Sequence, residues 1–421
     1  MSFRKISILL IICLFISTSF TALSQPIISG TIHDAISGEA LPYIALSLKK
    51  NLLSTVSNEN GQFEFTVPAT ITDDTLVISS IGFEPQYLSV ASINSPLNIK
   101  LKPNSFELKE VMILPMPPEH YIKMAMNSIK KNYPRQPFQT EAYYREIFTE
   151  NDSIISFTEA VFNSYYPHYC DTSAKNSHQL LLYNKADDKK IAFMNKQNKA
   201  KKKRKKDKNE TSVIDTSKTG PIDIKGAIGG PDAILGLDVV RGAEDYLDST
   251  KFRYFEYSFA ASSTYDNKEL MVIDFKSRKR NDHVKKNGKI YIDLESNAIV
   301  SVDYSGDITL PTMIYPALFV LGVSVDRPTF HKKIDYVKVN KEWYPQRIKA
   351  GAEVTLLKKH LFRENEHSRI VVDGIFVVNK TLTENVKPIE EKKKYSNKKN
   401  MSEQVYNDDK ITWNQINAIK R

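Results

Sequence analysis

Eight histidines and two cysteines are the residues from which a metal centre or a thiol nucleophile would have to be built in this chain of 421 residues. A zinc peptidase needs two close ligands and a distant third, commonly as His-Glu-x-x-His. That string does not occur: His360 and His367 stand seven apart, and His283 and His331 stand alone. There is no Gly-x-Ser-x-Gly elbow, the turn that presents a hydrolase serine. Cys13 lies in the apolar stretch near the N-terminus, and Cys170, between Tyr169 and Asp171, has no catalytic signature around it. Gly226, Gly229, Gly230 and Gly236 invite a phosphate-loop reading, but neither Gly-Lys-Ser/Thr nor Gly-x-Gly-x-x-Gly accompanies them. They read instead as a loop leading into short helices. The acid pairs Asp187-Asp188 and Asp408-Asp409 lie in polar stretches and read as solvated charge; a glycosidase pair is defined by spatial placement. The sequence predicts no catalytic residue, no metal ligand and no cofactor.

Two stretches stand out for physical rather than catalytic reasons. Residues 196–210 hold nine basic and two acidic residues, against a net charge of +10 for the whole chain. Lys201, Lys202, Lys203, Arg204, Lys205 and Lys206 form their centre and are the candidate anion-contact residues. A block of like charge repels itself and reads as a solvated loop, here within residues 170–222. Contact with anionic lipid or lipopolysaccharide phosphate is the sharper reading. No aromatic is interleaved with the lysines, which argues against nucleic acid. The second stretch, residues 308–325, has no charge. Pro311, Pro316 and Gly322 interrupt it, which opposes a continuous spanning helix. It reads as a short helix over an open apolar face, or as a lid over a lipid-sized cavity formed by Met313, Ile314, Tyr315, Leu318 and Phe319.

The elements that would position these stretches are mostly strands. Residues 1–24 read first as a secretory signal: Arg4 and Lys5, an apolar centre, then Ala22-Leu23-Ser24 before Gln25. Cys170 is then the one cysteine of the exported chain, so the fold stands without an internal disulfide. From Ile28 to Leu101 apolar and polar residues alternate in about seven short runs, such as Phe63-Phe65-Val67 and Leu97-Ile99-Leu101. Turn formers at Asp34 to Glu39, Asn58 to Gly61 and Gly82 separate them, the pattern of a small β-sandwich. Ile28-Ser-Gly-Thr-Ile-His-Asp34, Gly38-Glu-Ala-Leu-Pro-Tyr-Ile-Ala-Leu46, Ser57-Asn-Glu-Asn-Gly-Gln-Phe-Glu-Phe65 and Ile78-Ser-Ser-Ile-Gly-Phe83 together resemble the carboxypeptidase-like regulatory domain. This is a transthyretin-like sandwich common in Gram-negative cell-envelope proteins. The resemblance spans residues 26–102 and implies an accessory module rather than a peptidase.

Residues 103–117 read as a linker strand and 118–133 as a helix, with Pro118 in its first turn and Ile122, Met126, Ile129 and Tyr133 on one stripe. Residues 138–167 read as a hairpin around Asn151-Asp152. From Phe252 a meander of antiparallel strands returns, including 289–293 with 298–304, then 331–339, 343–350 and 368–379. The string Gly288-Lys-Ile-Tyr-Ile-Asp-Leu-Glu-Ser-Asn-Ala-Ile-Val300 is similar to paired strands in half-barrels of the periplasmic lipoprotein-carrier superfamily. Residues 118–385 are thus expected as one antiparallel domain, and 386–421, rich in Lys, Glu and Asn, as a polar tail that frays, with a short closing helix over Ile411 to Ile419 as the alternative.

The expected class is mainly β: the sandwich, then a curved, half-barrel-like sheet with a few helices. The expected role is a non-enzymatic binding or assembly module, periplasmic or outer-membrane-associated, working through an envelope protein or glycan. Lipid or lipoprotein handling, with the inner surface of the outer membrane as a possible partner, is the alternative; a hydrolase ranks last, and nucleic acid is no partner.

Overall fold

The computed structural model describes residues 27–104, 115–171, 173–189, 192–193, 230–242, 244–278, 285–308, 316, 318–319, 322–360 and 364–420. The expected signal at 1–24, most of the linker strand, the basic residues 201–206, and Met313, Ile314 and Tyr315 lie outside the described residues.

The alternating runs form seven strands in two sheets. β1 (Ile27–Asp34) lies between β4 (Gln62–Thr66), antiparallel, and β7 (Leu97–Leu101), parallel. The other sheet runs β3 (Ser54–Val56), β2 (Ala45–Leu48), β5 (Thr75–Ser79), β6 (Gln86–Ser89). Period-two patterning sends Ile32, Leu46, Phe63, Phe65, Leu76 and Leu101 between the sheets, all buried. Gly61 turns the chain into β4 at φ +71°, and a Cβ there would lie 2.5 Å from the Ile32 carbonyl oxygen, so only glycine fits this turn without displacement.

The second body is an open, curved antiparallel sheet. Its hairpin of β8 (Phe138–Glu150) and β9 (Ser153–Tyr166) turns at Asn151 and Asp152, both with positive φ, as a two-residue hairpin turn requires. The meander adds β11 (Phe255–Phe259), β12 (Ser263–Tyr265), β13 (Lys268–Ser277), β14 (Lys286–Asp293) and β15 (Ile299–Asp307). Three long strands follow: β16 (Ser324–Val339), β17 (Glu342–Lys358) and β18 (Glu366–Leu382). β18 closes back beside β8.

Two expectations need correction. Residues 170–222 are not loop throughout: β10 (Ser177–Asp188) pairs with β9 over most of its length. Leu180 is buried in the main core while Leu181 packs with Val161 and Ile416 on the other side. With both faces covered, the alternation that marks a half-exposed strand is lost. Near the start of the meander, residues 252–254 form a single helical turn. The rest of that run, β11, pairs with β13 as a strand there should, from Phe255↔Ser277 to Phe259↔Ile273, while the Asp266-Asn267 turn joins the short β12 to β13.

Helices α1 (Pro118–Asn127), α2 (Ile129–Asn132) and α3 (Gly230–Leu235) share one core with the sheet through Ile122, Ala125, Ile129 and Ile234. The sandwich meets the opposite face, where Val56 packs with Tyr143, Ile375 and Val377. Neighbouring Tyr144 and Phe376 join the helix-side core, as strand alternation dictates.

The tail is ordered, contrary to a polar fraying end. Ile389, Ile416 and Ile419 are buried. The Tyr395 and Tyr406 N–H groups donate to the His178 and Leu180 carbonyls at 2.6 and 2.9 Å, covering the β10 edge. Asn417 then joins the two bodies: its Oδ1 accepts from the Thr66 N–H at 2.7 Å, and its carbonyl accepts from Asn379 Nδ2 at 2.8 Å. A few apolar anchors and main-chain bonds order it where composition alone argues for disorder.

Candidate functional site

The sandwich is held to the sheet by charged groups that the strand pattern brings to one face. Arg145, in the middle of β8, is 5% exposed, and its Nη2 lies 2.6 Å from Glu59 Oε1 in the turn before β4. The Tyr43 hydroxyl donates to the same oxygen at 2.6 Å. Burial pushes the Glu59 carboxyl up, but the Arg145 charge and the Tyr43 hydroxyl outweigh it and leave it below its ordinary value. Arg347 on β17 pairs with Asp335 and donates to the Tyr43 carbonyl, while Ser301 Oγ donates to Asp335 at 2.7 Å. Asp335 is also held low: burial works against its ionisation, and Arg347 prevails. Lys349 Nζ sits 4.0 Å from the centroid of the Tyr43 ring, a cation–π arrangement.

Between the two bodies lies a cleft of about 460 Å³. One wall is the outward face of the sandwich sheet, with Ser47, Val77, Ser79 and Tyr87; the other comes from Tyr265, Val337, Val339, Pro345 and Val378. Lys49, Lys338, Asn340, Gln346 and Thr381 add polar groups. Hydrogen bonds join the two bodies at the opposite edge strands of that sandwich sheet. Tyr87 donates to Asp266 Oδ1 at 2.7 Å, and Ser54 Oγ donates to the Val378 carbonyl at 2.6 Å. The volume is in the range that holds a small ligand or a peptide segment, and a domain interface is a usual place for one.

The helix-facing side is packed differently. Asp238 is buried and accepts from the Tyr169 and Tyr336 hydroxyls and from the Val240 N–H at 3.1 Å. Burial raises its pKa despite those donors. Stacked and edge-on rings surround it, including Phe138 with Tyr166 at 4.5 Å and Tyr133 with Tyr336 at 5.4 Å. A space lined by Tyr166, Leu235, Asp238, Ile348 and Phe376 measures about 10 Å³, no more than a single water needs. Of the proposed lid residues, Leu318 is buried against Phe193, Val323, Leu356 and Ile370, whereas Phe319 is 86% exposed.

Two groups here have measurable chemistry. Cys170 is half-buried, with its Sγ 3.5 to 3.7 Å from the carbonyl oxygens of Ile129, Tyr133 and Pro134. Burial, aided by Glu342, pushes the thiol up to about 11 from 9.0. Thiolate is the reactive form, so disulfide exchange with an aromatic disulfide reagent near pH 8 should run about a hundredfold slower in the folded chain than in urea. Equal rates would refute this burial. Glu146 is raised to about 7 by burial, against the opposing effects of the Tyr144 hydroxyl at 2.9 Å and of Lys185. The folded carboxyl thus keeps its proton where the unfolded one, near 4.5, has lost it. Its contribution to stability is complete below 4.5 and fades as the pH rises through 7. Urea titrations across that window should show the decline in the parent and a flatter profile in Glu146→Gln.

Among the described residues no group of three His, Cys, Asp or Glu side chains is placed to hold a metal ion. The junction and the cleft are what sequence reading missed. The only local signal was an arginine in mid-strand between tyrosines, Tyr143-Tyr144-Arg145.

Residues 28–113 match the CarboxypepD_reg-like domain family. The match takes in the sandwich and not the curved sheet. No curated protein is detectably similar to the chain. Among solved structures, a DUF1329 family protein from Desulfovibrio piger aligns with 63% of this chain and 92% of its own, at 8% identity and a TM-score of 0.22. A protein of unknown function from Bacteroides fragilis, provisionally described as membrane-associated, aligns over 85% and 98%, at 12% identity and a TM-score of 0.15. Among the described residues no helix is long and apolar enough to cross a membrane.

Proposed function

We propose that this chain is a non-enzymatic binding module of the cell envelope, whose regulatory-like sandwich and curved sheet together form the ligand site. The observation that carries the reading is the 460 Å³ cleft, walled by both bodies and bridged along both edges of the sandwich sheet. Its mixture of tyrosine rings, apolar side chains and amide or ammonium groups suits an extended peptide or a glycan segment. The regulatory-like domain family is of a non-catalytic type, which agrees with a role in recognition. Lipid handling through an interior cavity would need several hundred Å³ of apolar space; the aromatic packing around Asp238 favours the cleft instead.

The test is calorimetry of the full chain against cell-wall oligosaccharides and extended peptides. Val77→Trp fills the cleft from the sandwich wall without entering the sandwich core. A ligand that binds the parent and fails to bind this variant supports the reading. A ligand bound equally by both, or turnover of any probe, overturns it.

A further inference from the structure

The cleft between the two bodies is lined by three charged side chains, Lys49, Asp266 and Lys338. Asp266 accepts the Tyr87 hydroxyl at 2.7 Å. Strand alternation sends Leu46 and Leu48 into the sandwich core and turns Ser47 and Lys49 toward the cleft. The Lys338 ammonium lies 5.6 Å from the centroid of the Trp343 ring, and that ring lies 6.4 Å from Tyr265 on the cleft wall. Among the described residues no carboxylate comes within 4 Å of either ammonium. The acids around them are engaged. Asp73 pairs with Lys50 at 2.7 Å, and Asp74 accepts the Lys50 and Asn51 N–H groups at 3.0 and 3.1 Å. Glu295, whose charge reaches Lys338, pairs with Lys268. Two unanswered cations beside one satisfied acid make the cleft a site for an anion.

The hydrogen-bonding groups of the walls decide between a sugar chain and a peptide. β2 and β5 on one side, β16 and β17 on the other, are interior strands with a neighbour along each edge. The outer edge of β3 is taken by β18, through the Leu53–Lys380 bridge and the Thr381 N–H donating to the Leu52 carbonyl. These strands leave no open ladder for a peptide backbone to extend. They offer side chains instead. Gln346 and Thr381 line the cleft and are each 7% exposed, yet their side chains have no hydrogen-bond partner among the described residues. Gln346 is the extra residue where the β16–β17 register slips, between Asp335↔Arg347 and Tyr336↔Pro345, and such a bulge re-aims its side chain. A buried polar group without a partner is costly. Closely spaced ligand hydroxyls would supply the partners, and Tyr87, 46% exposed, offers a ring face beside them.

We propose that the cleft takes an acidic glycan, a sugar chain bearing carboxylates, with Lys49 and Lys338 facing the carboxylates and Gln346 and Thr381 bonding to hydroxyls. This rests on the cleft being the ligand site. The test is calorimetry of the full chain with oligogalacturonate, with a neutral cello-oligosaccharide of the same length and with oligoglutamate, at low and high salt. Oligogalacturonate should bind best of the three and weaken as salt screens the lysines. Lys49→Gln combined with Lys338→Gln should weaken it at least about tenfold with an unchanged near-ultraviolet spectrum. Lys123→Gln combined with Lys276→Gln, the same charge change at exposed positions elsewhere, should bind as the parent does. If the neutral sugar or the peptide binds as well as the uronide and Val77→Trp abolishes it, this inference falls and the cleft remains the site. If the uronide binds Val77→Trp as it binds the parent, the cleft itself is overturned. Absence of uronide binding, or full binding by the double glutamine variant in the cleft, also overturns the proposal.

Discussion

A chain ending at Asn385 is expected to unfold in two steps, where the intact chain unfolds in one. The segment removed carries Ile389, Ile416 and Ile419, each at most 7% exposed. Burying three such side chains is worth roughly 5–8 kcal/mol as an upper figure, comparable with the 5–15 kcal/mol of a whole domain. It also carries Asn417, which bonds Thr66 in the sandwich and Asn379 in the sheet, and residues 395–406, which cover the edge of β10. Uncovering that edge leaves main-chain groups open to another strand, so the truncated chain should also associate at higher concentration. Calorimetry and hydrogen exchange read both effects: separate transitions, and faster exchange at Thr66. A single transition at the parental midpoint would show that the tail lies on the fold without holding it.

The second large effect is at Arg145. Glu59→Gln leaves a guanidinium, only 5% exposed, without the carboxylate it touches, and Arg145→Met takes the charge partner from Glu59. Each should cost about 2–3 kcal/mol in urea unfolding. The double variant should cost clearly less than the sum, a coupling of about 1 kcal/mol or more; additive costs would mean the pair does not act as a unit. Acid should loosen the same junction. Glu59 and Asp335 are both held below their ordinary values of 4.5 and 3.8. Their contribution is therefore present above those values and is lost as the pH falls through the lower, folded ones. Docking should weaken below about pH 4 and be restored on neutralisation.

These two features, the tail and the junction, are also where the sequence was least legible. The sandwich could be read because each strand buries one face only, so Phe63 and Phe65 alternate with Gln62 and Glu64. The β8–β9 hairpin could be read because Asn151 and Asp152 favour the positive φ of a tight turn. By contrast, β10 buries Leu180 and Leu181 on opposite sides, so its pattern has no period. The tail is anchored by three isoleucines spread over 31 residues; two of them fall in the stretch 411–419 that offered a closing helix, where the chain makes only the single turn Trp413–Gln415. Arg145 and Glu59 are 86 positions apart; their pairing depends on which face of β8 meets the sandwich, and that is decided by packing across the whole sheet. The absence of a reactive motif could be read from spacing; the cleft could not, because it belongs to neither body alone.

The central claim is that sandwich and sheet form one rigid unit with a fixed cleft between them. Spin labels at Ile36, 79% exposed on the sandwich, and at exposed Lys276 on β13, in a Cys170→Ser background, test it directly. Pulsed dipolar spectroscopy should give a single narrow distance at neutral pH that broadens in Glu59→Gln and in the truncated chain. A broad distribution in the parent would mean that the two bodies move independently, and that the cleft is no fixed site.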